Sequence, residues 1–335
     1  MFSDKHILIT GGTGSLGNAL AERLLQEKNP PECIEIFSRD EAKQHAMRLR
    51  FQNLVAATDD IIYSDFKERV KFTIGDIRDL SSVKQAVKDT DIIFHTAAMK
   101  QVPTAEYFPH EAFRTNVVGA ENIVSSIIEG DECVECVVGI STDKACYPIN
   151  AYGTTKALME RIFIAANMRC DTTRFVLARY GNIMGSTGSV IPLFQNQIIN
   201  KNPVTITDTG MTRFMMDIQQ ATDLIFESYD AGDPGDIFVP VIPSARIVDV
   251  ATLMSDNVKI VGIRPGEKLH ETLITSEESN FTISGRLGYI IKSMLPELCG
   301  NIEGVNDRVG VYTSAQNVMG IKDLRTLLVK HGYVL

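Results

Sequence analysis

No stretch of the sequence stays apolar for the roughly 18 residues that a membrane-spanning helix requires, so no membrane segment is expected. The first residues, M-F-S-D-K-H, lead straight into a strand-like run and carry neither a charged-then-apolar leader nor a cleavage site. A cytoplasmic location is the expectation. Clustered basic residues are also lacking: the formal net charge is −9, without the concentrated Lys and Arg that phosphate neutralisation demands, which argues against a nucleic-acid partner. The six cysteines (33, 133, 136, 146, 170 and 299) lack the spacing of a disulfide framework, as suits a reducing compartment. Cys133 and Cys136 form a C-x-x-C, but no second Cys/His pair at zinc spacing accompanies them and a strand-like V-V-G-I-S follows. The pair is read as structural, and no metal site is expected. Internal repeats and low-complexity tracts are absent too.

What remains is a chain of 335 residues with 44% hydrophobic content, long enough for a well-buried core in two unequal domains or one domain with an elaborated lobe. Its first half alternates short Val/Ile/Phe-rich runs with amphipathic stretches, the pattern of parallel strands covered by helices. Strands are expected at His6 to Thr10, Cys33 to Ser38, Val70 to Ile74, Asp91 to His95, Glu135 to Ser141 and Arg174 to Tyr180, with helical spacing over Ser81 to Lys88 and Pro109 to Glu129. The fold class is therefore α/β, a doubly wound parallel sheet. After Gly181 the rhythm shortens and Gly and Pro punctuate it, which marks a smaller C-terminal α/β lobe. Ile237 to Val241 reads as a late strand returning to the main sheet. The expected division is 1–181 for a dinucleotide-binding domain with a return segment near 215–241, and 182–214 with 242–335 for a substrate lobe.

Directly after the first strand comes T-G-G-T-G-S-L-G, with Gly11, Gly14 and Gly17 in G-x-x-G-x-x-G spacing ahead of a helical A-L-A-E-R-L-L. Glycines there permit a tight turn and let backbone amides approach a pyrophosphate at the helix N-terminus. Contacts are expected from Gly11, Thr13, Gly14, Ser15, Leu16 and Gly17. In such a fold an acidic residue ending the second strand binds a ribose 2′-hydroxyl, whereas a nearby Arg accommodates a 2′-phosphate. Ser38 stands at that position, followed by Arg39, Asp40 and, a turn on, Lys43. This favours NADP over NAD, with Asp40 two residues along as the acidic alternative. Asp76, in G-D-I-R-D with Ile77, reads either as an adenine-edge contact or as a helix cap. Ala97 and Ala98, after the fourth strand, fall beside the nicotinamide half.

Ser141 to Lys156 reads S-T-D-K-A-C-Y-P-I-N-A-Y-G-T-T-K. Tyr152 and Lys156, four apart on a helix, share one face. An ammonium there lowers a tyrosine pKa and can hold a cofactor ribose, so that the phenolate takes a proton from an alcohol while hydride leaves its carbon.

With these motifs in this order the chain is identified as a member of the extended short-chain dehydrogenase/reductase family over essentially its whole length. The signposts are T-G-G-T-G-S-L-G, G-D-I-R-D, H-T-A-A-M-K, Thr115-Asn116, Y-G-T-T-K and R-Y-G-N. S-R-D-E, A-A-M-K-Q-V-P-x-A-E, S-T-D-K-A-x-x-P-I-N, M-T-R-F and G-I-R-P-G-E-K-L-H-E resemble the polysaccharide-biosynthesis branch of UDP-N-acetylglucosamine 4,6-dehydratases. The resemblance implies a redox-neutral reaction on a UDP-sugar: C4 is oxidised through NADP, the 6-hydroxyl is eliminated, and hydride returns to C6. It implies Tyr152 as base at O4, Thr142 hydrogen-bonding that oxygen, Lys156 supporting Tyr152, Asp143 as acid at the 6-hydroxyl and Lys144 as base at C5. Glucose-specific 4,6-dehydratases carry Asp-Glu at this pair, so Lys144 is the diagnostic departure. A basic Lys144 must be neutral, and burial or a cationic neighbour such as Lys156 is expected to depress its pKa. The alternative is that Lys144 only salt-bridges Asp143 and orients it.

The same resemblance implies Asn116 as a cofactor contact. It also implies Asn182 and the following G-S-T-G-S-V, including Val190, near UDP, Arg264 and Arg213 on its diphosphate, and Glu267 at the uridine ribose. Surface salt bridges are the alternative for Arg213, Arg264 and Glu267. Lys100 is expected either at the sugar or cofactor or in a structural ion pair. His95 and His270 are read as structural. Some relatives carry Met at the position of Tyr152, including branches that retain C5 configuration. Tyr152 therefore points to the 5-inverting reaction, with UDP-2-acetamido-2,6-dideoxy-β-L-arabino-hex-4-ulose as product. A homo-oligomer, dimer to hexamer, is implied by analogy. Two other functions are weighed: a UDP-N-acetylhexosamine 4-epimerase, which needs no elimination pair, and a non-catalytic dinucleotide sensor, which would not need the reactive Tyr and Lys.

Overall fold

The computed structural model describes residues 1–52, 68–130, 132–186, 188–299 and 309–334. Seven parallel strands form the body of a nine-stranded sheet: β1 (His6–Thr10), β2 (Cys33–Ser38), β3 (Val70–Ile74), β4 (Ile92–His95), β5 (Cys136–Thr142), β6 (Arg174–Tyr180) and β10 (Ile237–Pro240). Their spatial order, β3-β2-β1-β4-β5-β6-β10, is that of a doubly wound dinucleotide-binding sheet. β4 and β10 are buried at every position, because helices cover both faces of a parallel sheet. The sheet core, from Ile7, Ile9 and Ile34 to Phe175, Leu177 and Phe238, is fully closed to solvent.

Every strand read from the pattern falls within a residue or two of its observed position, including the return at β10, parallel to β6. Two further strands of this sheet were not anticipated. β14 (Thr282–Ser284) and β15 (Gly288–Ile291) form an antiparallel hairpin whose second strand pairs with β10, so part of the span assigned to the smaller lobe completes the edge of the large sheet. Their three and four residues carry too little alternation to register as strands in sequence.

The expected helix over 109–129 is divided into Pro109–Phe113, a π-helical turn at Arg114–Val118 and Gly119–Gly130. Such turns often lie beside functional sites, and this one carries Asn116. A second hydrophobic cluster joins Met184, Ile191, Phe194, Met215, Ala245, Val250, Leu324 and Leu328. Around it lie β9 (Thr212–Met216), paired with β7 (Asn182–Ile183) and β11 (Ser244–Arg246), and the helix Val190–Ile199. No described helix is long and apolar enough to cross a membrane.

Strand order reverses between β1 and β4, and in such sheets ligands bind outside the carboxyl ends of the strands at this switch point. The glycine loop after β1, the Ala97–Lys100 loop after β4 and the Thr142–Lys144 turn after β5 all leave the sheet at that edge. The topology thereby gathers the three motifs that the sequence keeps far apart.

Candidate active site

The first loop leaves β1 through Gly11, whose φ is +66° and whose absent Cβ would lie 2.7 Å from the Ala97 Cα. A side chain here would be strained and would push the β1 and β4 loops apart. Gly17 packs against Gly12, where a Cβ would meet backbone at 2.5 Å. Gly14 is the N-cap of the helix Ser15–Leu25 and offers no side chain to its amides, leaving a helix start suited to a phosphate. Leu16 packs onto the sheet core. These features fit a dinucleotide cradle.

At the end of β2 the Ser38 hydroxyl bonds the Thr13 hydroxyl at 2.9 Å and accepts from the Asp40 amide, tying the second strand to the phosphate loop. Arg39 is exposed there. The Asp40 carboxylate accepts from the Lys43 amide and pairs with its ammonium at 3.3 Å; these contacts, the amide first, hold its pKa below the usual range. The acid that would mark NAD is thus already engaged by a neighbouring cation.

Asp76 does not cap a helix. Asp79 caps the helix Leu80–Val87 instead, while Asp76 takes a two-pronged contact from Arg78, whose other arm reaches Glu111. Hydrogen bonding from Arg78 holds its carboxyl below the usual range. Ile77 packs under Gly119. Ala98 and Lys100 are exposed on the β4 loop. Asn116 is completely buried and spends its amide on the backbone of Met99 and on the Thr155 hydroxyl, clamping that loop to the reactive helix.

The reactive segment folds tightly. β5 ends at Thr142, a 3₁₀ turn spans Asp143–Ala145, and Asn150 caps the helix Ala151–Ala166 through the Gly153 amide. Gly153 lies so close to the turn that a Cβ would approach the Lys144 carbonyl oxygen to 2.2 Å. Tyr152 is therefore brought back over Thr142 and Lys144. Burial raises the phenol pKa, whereas the Lys144 charge and a hydrogen bond with Thr142 act in the opposite direction. Lys144 is thus a cation acting on the phenol. Lys156 is buried with its ammonium against the Met159 sulfur at 2.8 Å, and desolvation brings its pKa down to about 7. His95 lies near it, bonded to Thr10, and burial lowers its pKa to about 3, so it stays neutral and serves structure.

Asp143 has no exposed surface. One carboxylate oxygen accepts from Thr142 at 3.1 Å and from Lys144 at 3.0 Å; the other has no hydrogen-bond partner among the described residues. Burial raises its pKa. Lys144 differs from expectation. Burial alone would lower its pKa, but Asp143 at 3.0 Å and Glu271 at 3.3 Å outweigh it, and the ammonium is held above the usual lysine value. The cation opposing this is Arg213, not Lys156.

Asn182 accepts from Lys144 at 3.4 Å. It also lines a small cavity with Val190, Arg213 and Met215. Thr187, in the adjoining G-S-T-G-S-V, lies outside the described residues. Arg213 directs its guanidinium to the Thr212, Leu269 and Lys268 carbonyls and to Glu271 at 3.6 Å. It braces the 264–271 segment from within. Arg264 is exposed at the start of that segment, and its amide donates to the Glu267 carboxylate. His270 bonds Thr212.

Two groups went unread in the sequence. Glu271 ends the quoted G-E-K-L-H-E, and only the fold brings it to Lys144. Beneath the turn, Arg179 is buried with both arms on Glu160 and Glu278 and also bonds the Leu273 carbonyl and the Cys146 sulfur. Glu160 in turn accepts from Ser141. An i, i+4 spacing on the reactive helix puts Glu160 one turn beyond Lys156, a signal that charge periodicity alone does not distinguish from a solvated face.

The family described as polysaccharide biosynthesis protein matches residues 7–292. A Rickettsia bellii protein named UDP-glucose 4-epimerase is 45% identical over 290 residues, spanning 83% of this chain and 80% of that one. Among solved structures, Pen from Bacillus thuringiensis is similar over 100% of both chains, with 34% identity and a TM-score of 0.88. The dTDP-glucose 4,6-dehydratase DesIV from Streptomyces venezuelae, 20% identical, covers 79% of this chain and 86% of its own with a TM-score of 0.66, a likeness of fold.

Proposed function

Because the chain belongs to the polysaccharide biosynthesis protein family, we propose that it is an NADP-dependent UDP-N-acetylglucosamine 4,6-dehydratase that inverts C5. The observation that carries this reading is the buried Asp143–Lys144 pair within the reach of Tyr152, with one Asp143 oxygen unpartnered among the described residues. Oxidation at C4 needs a base at the hydroxyl. Elimination across C5 and C6 needs in addition an acid and a base close together, and the pair supplies both.

A nicotinamide bound here would supply a hydride acceptor for C4 and a hydride donor for C6, with a proton added at C5, so that the overall reaction is redox-neutral. Gly11, Thr13, Gly14, Ser15, Leu16 and Gly17 would hold its pyrophosphate, with Ser38, Arg39 and Lys43 at the adenosine ribose. Asp76, Ile77, Ala97, Ala98, Lys100 and Asn116 would line the remainder, and Lys156 the nicotinamide ribose. Tyr152, its own phenol proton having passed to Lys156, whose pKa of about 7 lets it accept one, takes the proton of the 4-hydroxyl, with Thr142 hydrogen-bonding the same oxygen. The resulting ketone acidifies the C5 hydrogen.

One proton is shared within the Asp143–Lys144 hydrogen bond. Moving it from the Lys144 nitrogen to the Asp143 oxygen, across 3.0 Å, converts an ion pair into a carboxylic acid and a free amine. The amine then takes the C5 proton, the electrons of that C–H bond form the C5–C6 double bond, and the C6–O bond breaks as Asp143 protonates the leaving hydroxyl. Water departs, and the ion pair is restored. A group need not be neutral at rest to act as base, provided that its proton has somewhere to go. Asn182, Val190, Arg264 and Glu267 are proposed to hold the UDP-sugar, with Lys100 at the sugar and Arg213 lining the cavity beside Asn182 and Val190. Since Arg213 is committed to backbone carbonyls, Arg264 is the better placed of the two arginines to engage the diphosphate.

UDP-glucose 4-epimerase, as the Rickettsia relatives are named, is the second reading. Incubation with UDP-N-acetylglucosamine separates the two: a 4-keto-6-deoxy product absorbs in alkali, and an epimer does not. For the cofactor, NADP is expected to bind more tightly than NAD. Arg39→Ala is expected to weaken NADP by roughly ten-fold, the loss of one charge-assisted phosphate contact, and to leave NAD affinity unchanged. Tighter binding of NAD in a calorimetric titration would overturn the Arg39 assignment.

A further inference from the structure

Lys144 is held from two sides. Asp143, its neighbour in the chain, approaches the ammonium at 3.0 Å, and Glu271, from the distant 264–271 segment, approaches at 3.3 Å. Glu271 is buried, its backbone amide is fixed by Ser314, and its second carboxylate oxygen has no hydrogen-bond partner among the described residues. Nothing about a dehydration requires a second carboxylate behind the base. A charge buried at this depth is costly unless it serves a partner, and Glu271 serves Arg213 and Lys144.

Resting on the proposed dehydratase reading, we infer that Glu271 is a positioning residue that holds the Lys144 ammonium in register with Asp143 and governs when its proton passes to Asp143. While Glu271 is anionic the ion-pair form is favoured. Without that negative charge the balance shifts toward the form in which Asp143 carries the shared proton and Lys144 is the amine. The same segment carries Arg264 and Glu267, and it also docks on the reactive turn through Lys268 to the Cys146 carbonyl and through the Gly266 carbonyl to Asn150. Seating of a nucleotide on this segment would therefore act on Lys144 through Glu271.

The ionisable groups facing Lys144 are Asp143 on its own turn, Tyr152 on the reactive helix, Arg213 on β9 and Glu271. Lys268 acts on Glu271 from behind. Of these, Asp143 and Glu271 are the nearby anions, and Arg213 and Lys268 already oppose the charge on Lys144. Removing Glu271 therefore has one sign: the proton affinity of Lys144 falls.

The test compares Glu271→Gln, which keeps the shape, with Glu271→Asp, which keeps the charge. In the intact chain labelled with ¹³Cε-lysine, the resonance lost in Lys144→Ala is assigned to Lys144. It is expected to titrate at lower pH in Glu271→Gln than in the wild type, by about one unit or more, and to recover in Glu271→Asp. Solvent deuterium exchange at C5 of UDP-N-acetylglucosamine is expected to shift to lower pH by the same amount, with KM little changed. A Lys144 titration identical in Glu271→Gln and wild type overturns the inference whatever reaction the chain performs. Should Glu271→Gln not fold, the wild-type resonance alone decides: an amine titrating below the ordinary lysine range overturns it. A wild type that releases no water overturns the dehydratase reading and leaves the resonance comparison intact.

Discussion

Lys144→Ala is expected to lower dehydration of UDP-N-acetylglucosamine by roughly 10²–10⁴-fold, the range of a single general acid or base, and to abolish solvent deuterium exchange at C5. Asp143→Asn is expected to lower dehydration to a similar extent by another route. An amide can neither accept the Lys144 proton nor protonate the leaving oxygen, and Glu271 at 3.3 Å keeps Lys144 an ammonium, so C5 exchange is lost together with elimination. The two variants thus remove the two ends of one proton transfer. The argument depends on the 3.0 Å contact between the two side chains and on the complete burial of Asp143, which denies the pair any exchange of roles with solvent. Product mass and deuterium content, followed in heavy water, measure both effects. Wild-type elimination by Lys144→Ala would remove that residue from the chemistry and leave it as an orienting partner of Asp143.

The largest effect on stability is expected at Arg179. Its side chain is almost wholly buried, pairs with Glu160 at 2.7 Å and Glu278 at 2.8 Å, and holds the end of β5 through Glu160 and Ser141. Arg179→Met leaves two carboxylates buried without a counter-charge, which costs about 3–5 kcal/mol in comparable cases. Arg179→Lys recovers little, because one ammonium cannot match two carboxylates in fork geometry. Replacing all three charged residues by apolar ones of similar size is expected to restore much of the loss. Burial alone would raise the Glu278 pKa, but Arg179 outweighs it and the carboxyl is held below its ordinary range. Its folded pKa being the lower one, Glu278 contributes stability above the unfolded value of about 4.3, and that contribution is lost as pH falls through the depressed value. Urea midpoints for the variants, as a function of pH, measure this. A shift below about 1 kcal/mol for Arg179→Met, the range of an exposed ion pair, would contradict the account.

Much of this was legible in the sequence because the determinants are local. The glycine loop announces itself through residues that share one turn, and the strands through runs of Val, Ile and Phe that need burial on both faces. Tyr152, Asp143 and Lys144 could be grouped because one turn and one helix start lie within a dozen residues. The charge on Lys144 was misread for the opposite reason. Burial was visible from the apolar strand before it, but Glu271 arrives from near the other end of the chain and reverses the sign. Arg179 and Glu278 meet through tertiary contacts in the same way. The π turn at Arg114–Val118 looks like ordinary helix in sequence, although it presents Asn116 to the β4 loop. Arg213, read as a phosphate ligand from its motif, turns inward because three backbone carbonyls lie within its reach.

The central claim is that one active site moves a hydride from C4 to C6 and expels water between the two events. UDP-N-acetylglucosamine carrying deuterium at C4, incubated with the chain and no added reductant, tests it in one mass and NMR analysis. The account predicts a product lighter by one water, with the deuterium at C6 and the ring couplings of the inverted C5. A product of unchanged mass with deuterium still at C4 would contradict it and identify a 4-epimerase.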